Sequence, residues 1–84
     1  MSKGATLKRG YAQLHIGMSR EEVLELFGEP DSQRIRSGIE TLKWEVQEWK
    51  GFLRGGRMTR NVVVEFEDGK VIGYDGENVN VTTW

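Results

Sequence analysis

Three polar side chains near the start of the chain are of types that perform catalysis, and their spacing decides how they are interpreted. Ser19 could act as a nucleophile, Glu22 as a carboxylate base, and His15, the only histidine, as a general base. Ser19 and Glu22 are three residues apart at the start of a helical pattern, which is the spacing of an N-terminal capping box. No partner has a recognisable catalytic spacing to His15. We therefore interpret all three as structural residues and expect that the protein is not an enzyme.

Metal and cofactor sites are not predicted either. Residues that could offer oxygen ligands to calcium occur late in the chain: Asp68, Asp75, Glu77 and Asn80. Their spacing is not that of an EF-hand loop, so ordinary turn chemistry explains them better. The glycines between residues 50 and 60 lack the Gly-Lys-Ser/Thr sequence of a phosphate-binding loop. The chain has no cysteine, which excludes disulfides and thiolate chemistry. We expect no cofactor.

One helix has clear start and stop signals. The apolar spacing predicts it over residues 20–27, with Ser19 as N-cap and Glu22 completing the capping box. Gly28 can adopt the left-handed conformation that ends a helix, and Pro30 prevents its continuation. Earlier in the chain, residues 1–9 are predicted to be a flexible tail, and residues 10–15 a single helical turn.

After Pro30 the apolar period changes from 3.6 to 2, which is typical of strands. Strands are predicted at residues 32–35, 41–49, 61–67 and 71–74, with a loop at residues 50–60. Asp68 and Gly69 predict a two-residue hairpin turn. That turn pairs Glu67 with Lys70, Phe66 with Val71, Val64 with Gly73, and Val63 with Tyr74. The fold class is therefore α+β: one or two short N-terminal helices packed on one face of a three- or four-stranded antiparallel sheet, in a single domain over residues 1–84.

Two surfaces are candidates for binding. The net charge of the chain is −1, yet no acid occurs between Trp49 and Val64. A basic run in this segment could bind an anionic ligand or nucleic acid: Lys50, Arg54, Arg57 and Arg60. The predicted register also leaves an apolar patch on the sheet face away from the helix, and this patch could bind a protein: Trp49, Val63, Ile72 and Tyr74. A solvated loop would equally explain the basic run, and cover by residues 75–84 would explain the apolar patch.

The motifs taken together resemble a known family. The segments Leu14-His15-Ile16-Gly17-Met18-Ser19 and Leu26-Phe27-Gly28-Glu29-Pro30, an aromatic strand at Trp44, and Val64-Glu65-Phe66-Glu67-Asp68-Gly69-Lys70-Val71 are similar to the SmpA/OmlA (BamE-like) domain. The resemblance covers roughly residues 10–75. It implies two N-terminal helices on a three-stranded antiparallel sheet and a non-catalytic role, because well-known members assist outer-membrane protein assembly. Those members carry a signal peptide and a lipidated cysteine, which this sequence does not contain.

The expected function is a non-enzymatic protein-binding or scaffold module of this type, with an unknown protein partner. The alternative is a binder of an anionic ligand or nucleic acid through the loop at residues 50–60. The sequence leaves open whether the chain forms a homo-oligomer. No apolar run approaches the ~20 residues of a membrane span, and the first residues lack a secretory h-region. We therefore expect a cytoplasmic protein, although a mature fragment of a cell-envelope protein would have the same sequence.

Overall fold

A computed structural model describes residues 3–50 and 56–79, and for residues 48–50 and 56–58 it describes the backbone alone. Within these ranges the chain forms the helices α1 (Lys3–Gln13) and α2 (Arg20–Phe27) and the strands β1 (Ser32–Arg36), β2 (Ile39–Lys50), β3 (Gly56–Glu67) and β4 (Lys70–Glu77). The strands pair with their sequence neighbours in one antiparallel sheet of order β1-β2-β3-β4. The predicted α+β class is confirmed, with both helices on one face of a four-stranded sheet.

Helix α2 forms where its local signals place it. The Ser19 hydroxyl accepts from the Glu22 amide at 3.1 Å, and a Glu22 carboxylate oxygen accepts from the Ser19 amide at 3.0 Å. The hydrogen bonds from Ser19 lower the pKa of Glu22. Gly28 has a φ of 81° and donates its amide to the Leu24 carbonyl, which ends the helix. These contacts assign Ser19 and Glu22 to a capping box, as the sequence predicts.

Helix α1 corrects the prediction of a flexible tail. Residues 3–9 are helical, and the helix continues to Gln13. Leu7 is fully buried, Gly10 is buried, and Leu14 just beyond the helix is 6 % exposed. Lys3 also makes an ion pair with Asp31, at 2.7 Å, so the start of α1 is tied to the segment before β1. The prediction failed because tertiary burial, not a local capping signal, stabilises this helix.

The core lies between the helices and the sheet. Trp44 of β2 packs against Phe27 of α2 with ring centroids 4.9 Å apart, and its indole N–H donates to the Gly28 carbonyl at 3.0 Å. Of the other buried apolar residues, those on the strands alternate with exposed ones, and the rest lie on the helices or just outside these elements: Leu42, Val62, Val64, Phe66 and Val71 on the strands, Leu7 and Val23 on the helices, and Leu14, Met18 and Val79 outside them. This alternation leaves the intervening residues of each strand on the opposite face of the sheet.

The long hairpin between β2 and β3 replaces much of the predicted loop. The backbone pairing of these strands continues to Lys50 and Gly56, so residues 56–60 are strand and not loop. The remaining part of the predicted loop, residues 51–55, lies outside the described residues, as do residues 80–84.

A β-bulge in β4 changes the predicted register. Glu67 pairs with Lys70 and Phe66 with Val71, as predicted, but Ile72 is then an extra residue. Glu65 therefore pairs with Gly73, and Val64 pairs with Tyr74. The predicted pairs of Val64 with Gly73 and Val63 with Tyr74 are wrong by one residue, and the side chains beyond the bulge exchange faces.

Candidate partner-binding surfaces

The face of the sheet opposite the helices, the outer face, is not covered by any element of the described residues. Thr41 and Lys43 of β2 and Val63 of β3 alternate with buried neighbours and are partly exposed. With Ser32, Gln33 and Arg34 they line a shallow depression of about 280 Å³. An uncovered sheet face with an apolar side chain among polar ones is a surface on which another protein can pack.

Charge is divided across this face. On the β1 side the exposed side chains are basic, namely Arg34 and Arg36. On the β3 and β4 side they are mostly acidic, with Lys70 beside Glu67: Glu65, Glu67, Asp75 and Glu77. Lys43 lies between the two groups and is 3.6 Å from Glu45. Among the described residues, neither Arg34 nor Arg36 forms an ion pair, so the basic side retains its charge for a partner.

The two edges of the sheet differ. Along β4, the segment that leads into α2 makes backbone hydrogen bonds: Gly17 donates to the Val71 carbonyl at 2.8 Å, and Val71 donates to the Met18 carbonyl at 2.9 Å. Arg20 likewise donates its amide to the Gly69 carbonyl at 3.0 Å. These bonds cover one end of the β4 edge. Along β1, no described residue pairs with the free edge.

A groove of about 600 Å³ runs between α2 and β1, next to this free edge. Its apolar lining comes from Leu24 and Pro30, and the rest is formed by Arg20, Gly28, Glu29, Asp31, Ser32 and Gln33. Ile35 of β1, farther along the same strand, is 68 % exposed, which is unusual for isoleucine. The sequence contained a signal for β1 but none for the exposure of its edge, because the order of strands is not encoded locally.

An ion-pair network fixes the wall of this groove. The Arg20 guanidinium donates to both carboxylate oxygens of Glu40, at 2.6 and 3.0 Å, and the Gln33 amide also donates to Glu40. The hydrogen bond to Arg20 lowers the pKa of Glu40 and raises that of Arg20. At the other end, hydrogen bonds from Lys3 and from the Glu45 amide lower the pKa of Asp31. The wall is thus held in one arrangement by charge-assisted bonds.

The predicted apolar patch does not form as one surface. Tyr74 lies on the helix side, where its ring meets that of Tyr11 edge-on at 5.8 Å, so placing it on the outer face was wrong. Burial, Asp75 and Tyr74 together raise the pKa of Tyr11. Val63 is on the outer face as predicted, and Ile72 is 45 % exposed at the bulge. Trp49 lies in β2 opposite Arg57, and its side chain lies outside the described residues.

The signal for the bulge was present in the sequence. Gly73 is an isolated glycine inside a strand pattern, and such a glycine often marks a bulge. Gly73 lies on the outer face and not against the core, since an added Cβ there would meet the Glu65 carboxylate at 3.3 Å.

One residue of the predicted basic run, Arg60, is buried in the structure. Arg60 is 9 % exposed and alternates with the buried Val62, and its guanidinium donates to the Asn78 carbonyl. Including Arg60 among surface cations was therefore wrong, because it packs within the fold. The backbones of Lys50 and Arg57 lie at the paired ends of β2 and β3. Their side chains, and all of Arg54, lie outside the described residues.

The remaining polar candidates have structural contacts. The exposed His15 ring has its Nδ1 atom 3.2 Å from the Gln13 carbonyl. Among the described residues, no group of three or more His, Asp or Glu side chains could hold a metal ion, and Asn80 lies outside them. In the part of the chain that the structure describes, no helix is long and apolar enough to cross a membrane.

Comparison with known proteins gives a match in fold. No protein-family model matches the chain, and no curated protein does. A solved structure of a candidate β-lactamase inhibitor protein from Streptococcus mutans is similar, with a TM-score of 0.54 and 24 % sequence identity over 86 % of this chain. The match spans 44 % of that protein, so the present chain spans less than half of its length. At this identity the likeness shows a shared fold.

Proposed function

We propose that this protein is a non-enzymatic protein-binding module of the SmpA/OmlA (BamE-like) type that binds its partner through the outer face of the sheet. The observation that carries the proposal is the uncovered outer face, whose Thr41 and Val63 are partly exposed beside two oppositely charged sides. Apolar and hydroxyl side chains at the centre with charges around them are the arrangement that protein interfaces use.

Two further observations support the same class. The motifs of helix α2 and of the β3–β4 hairpin are those that resemble the SmpA/OmlA family, whose role is non-catalytic. The structural neighbour is named as a candidate inhibitor of an enzyme, and such inhibition would be a protein-binding activity. The alternative, binding of an anionic ligand or nucleic acid, now rests on Lys50, Arg54 and Arg57.

Affinity capture from a lysate of the source cells, followed by mass spectrometry, tests the proposal with matched variants. Val63→Glu places a charge at the centre of the outer face. Ile16→Glu makes the same change at a residue that is 60 % exposed in the segment between α1 and α2. We expect a polypeptide that the wild type and Ile16→Glu retain and that Val63→Glu loses, while both variants keep the melting temperature of the wild type.

A third variant addresses the alternative. Arg54→Ala combined with Arg57→Ala should leave capture unchanged if the outer face binds the partner. Loss of capture in this variant alone, together with recovery of nucleic acid or an anionic ligand, would refute the proposal in favour of the basic segment. If the outer face binds the partner, hydrogen exchange of the purified complex should show protection at β2 and β3 around Thr41 and Val63.

A further inference from the structure

We propose that the free edge of β1 binds an extended segment of a partner protein in which acidic and apolar side chains alternate, so that the segment adds a fifth strand to the sheet. The inference deepens the proposed protein-binding function and rests on it, because it names the chemistry of one bound segment. It concerns a different surface from the outer face, and the two can be tested separately.

The edge of β1 has backbone groups that are free to form hydrogen bonds. The turn at Ser37 and Gly38 makes Arg36 and Ile39 the pair that exchanges hydrogen bonds, and every second pair along the ladder does the same. The amide and carbonyl groups of Gln33 and Ile35 therefore point away from β2. No described residue bonds to them, so these groups can accept an added strand.

The β1 edge, unlike the β4 edge, is not bonded to another segment of the described residues. The β4 edge is bonded to the segment around Gly17 and Met18. Proteins commonly protect a free edge with short strands, charged side chains, a bulge or a proline, and on β1 the charged side chains, Arg34 and Arg36, lie on the outer face alone. On the helix side of β1 the residues are Gln33, which is bonded to Glu40, and Ile35, which is apolar and 68 % exposed. The helix side of β1 therefore carries no unpaired charge that would repel an added strand.

The groove between α2 and β1 lies directly beside this edge. A strand added to β1 would project every second side chain towards the helix side of the sheet. There the groove lined by Leu24 and Pro30 has a volume of about 600 Å³, enough for aliphatic side chains. Ile35 extends this apolar surface along the strand. Apolar residues are thus favoured at alternate positions of the bound segment.

The positive charge of β1 favours acidic residues in the bound segment. Arg34 and Arg36 lie on the outer face of β1, and neither forms an ion pair among the described residues. The other alternate positions of an added strand would lie beside them, where carboxylates are favoured. The same two arginines disfavour a second copy of this chain, because antiparallel pairing of β1 with itself would bring like charges together. The bound partner segment should therefore carry acidic residues on the outer face and apolar residues facing the groove.

A synthetic peptide tests this inference without the natural partner. The probe is an acetylated, amidated hexapeptide of alternating Glu and Val, and the control has the same composition with three Glu followed by three Val. We expect the alternating peptide to bind at least about tenfold more tightly, since only it matches both sides of the edge. NMR hydrogen exchange should show new protection at the amides of Gln33 and Ile35, and affinity should fall with added salt.

Three variants locate the binding. Ile35→Pro removes the outward amide and leaves the ladder to β2 intact, so it should abolish binding, whereas Ile35→Ala retains the amide and should weaken binding only moderately. Arg34→Glu combined with Arg36→Glu should abolish binding of the Glu-Val peptide and favour a Lys-Val peptide instead. This double variant keeps the test decisive should Ile35→Pro fail to fold, which thermal melts will show.

Two outcomes overturn the inference: equal affinity for the two peptides, or protection elsewhere than β1. If peptide binding fails while Val63→Glu still abolishes capture of a partner, the edge inference alone is refuted. If the alternating peptide binds β1 and Val63→Glu leaves capture unchanged, the inference stands and the outer face is not the binding surface. If the peptide does not bind and the wild type captures no polypeptide, the proposed protein-binding function is refuted as well.

Discussion

Gly10 of α1 lies directly against the aromatic ring of Phe27 in α2, so closely that an added Cβ would come within 2.6 Å of the Phe27 Cε1 atom. The ring cannot withdraw easily, because it also packs on Trp44 at a centroid distance of 4.9 Å. The crossing of the two helices therefore depends on the absence of a side chain at Gly10.

Gly10→Ala should destabilise the protein even though alanine is the better helix former. The gain in helix propensity is about 1 kcal/mol, whereas inserting a methyl group into a packed core costs about 1–3 kcal/mol. We expect a net loss of about 1 kcal/mol in urea unfolding. Gly73→Ala is the control, since its Cβ meets only the flexible end of Glu65 at 3.3 Å. Combining Gly10→Ala with Phe27→Leu should recover part of the loss, and strict additivity would contradict the contact.

Ser19→Ala should cost about 1 kcal/mol, because the Glu22 amide loses the side chain that satisfies it. Ser19→Asp supplies another acceptor at the same position and should retain most of the stability. Thermal melts of the three proteins at pH 7 measure the effect. Equal loss in Ser19→Ala and Ser19→Asp would mean that the hydroxyl contributes something other than the cap.

The two helices show what the sequence could and could not predict. Helix α2 was predicted with its bounds because Ser19, Glu22 and Gly28 are local signals that act within the helix itself. The first part of helix α1 was not predicted because the burial of Leu7 stabilises it, and no local sequence signal indicates that burial. Local rules therefore predict elements that are stabilised locally and miss those stabilised by packing.

The candidate surfaces also were predicted correctly where local pattern decides them and wrongly where tertiary structure does. Alternation along β2 and β3 placed Val63 on the outer face correctly, because a regular strand preserves its period. It misplaced Tyr74, because one extra residue in β4 reverses every side chain beyond it. The burial of Arg60 depends on the Asn78 carbonyl, which is 18 residues away in sequence. The exposure of the β1 edge depends on strand order, which no local pattern encodes.

Acid should weaken the fold through the network at the wall of the groove. The pKa of Glu40 is lowered in the folded protein by Arg20, so its contribution to stability is complete above the ordinary value of 4.5 and is lost as pH falls through the lower folded value. Asp31, whose pKa is lowered by Lys3, adds a loss of the same sign below its ordinary value of 3.8. The melting temperature should therefore decline below about pH 4.5.

Melting curves from pH 7 to pH 2.5 for the wild type and Glu40→Gln separate this contribution from general acid effects. Glu40→Gln should melt lower than the wild type at pH 7, and the difference should close at low pH, where Glu40 is protonated. Glu25→Gln alters an exposed carboxylate on α2 and serves as control. A difference between wild type and Glu40→Gln that stays constant over the whole range would show that the charge of Glu40 is unimportant.

Deleting Ile72 should be tolerated, although it removes a residue from the middle of a sheet. Ile72 is the extra residue of the bulge, so its removal leaves Phe66 opposite Val71 and Val64 opposite Tyr74 in an uninterrupted ladder. The edge-on contact between Tyr11 and Tyr74 would persist, and nuclear Overhauser effects between these rings measure it.

Deleting Lys43 is the matched control: it lies in the regular part of β2, where losing one residue turns Leu42 or Trp44 away from the core. We expect the deletion of Lys43 to unfold the protein and the deletion of Ile72 to lower its melting temperature by only a few degrees. Loss of the contact between the two rings on deletion of Ile72 would show that the bulge itself orients Tyr74.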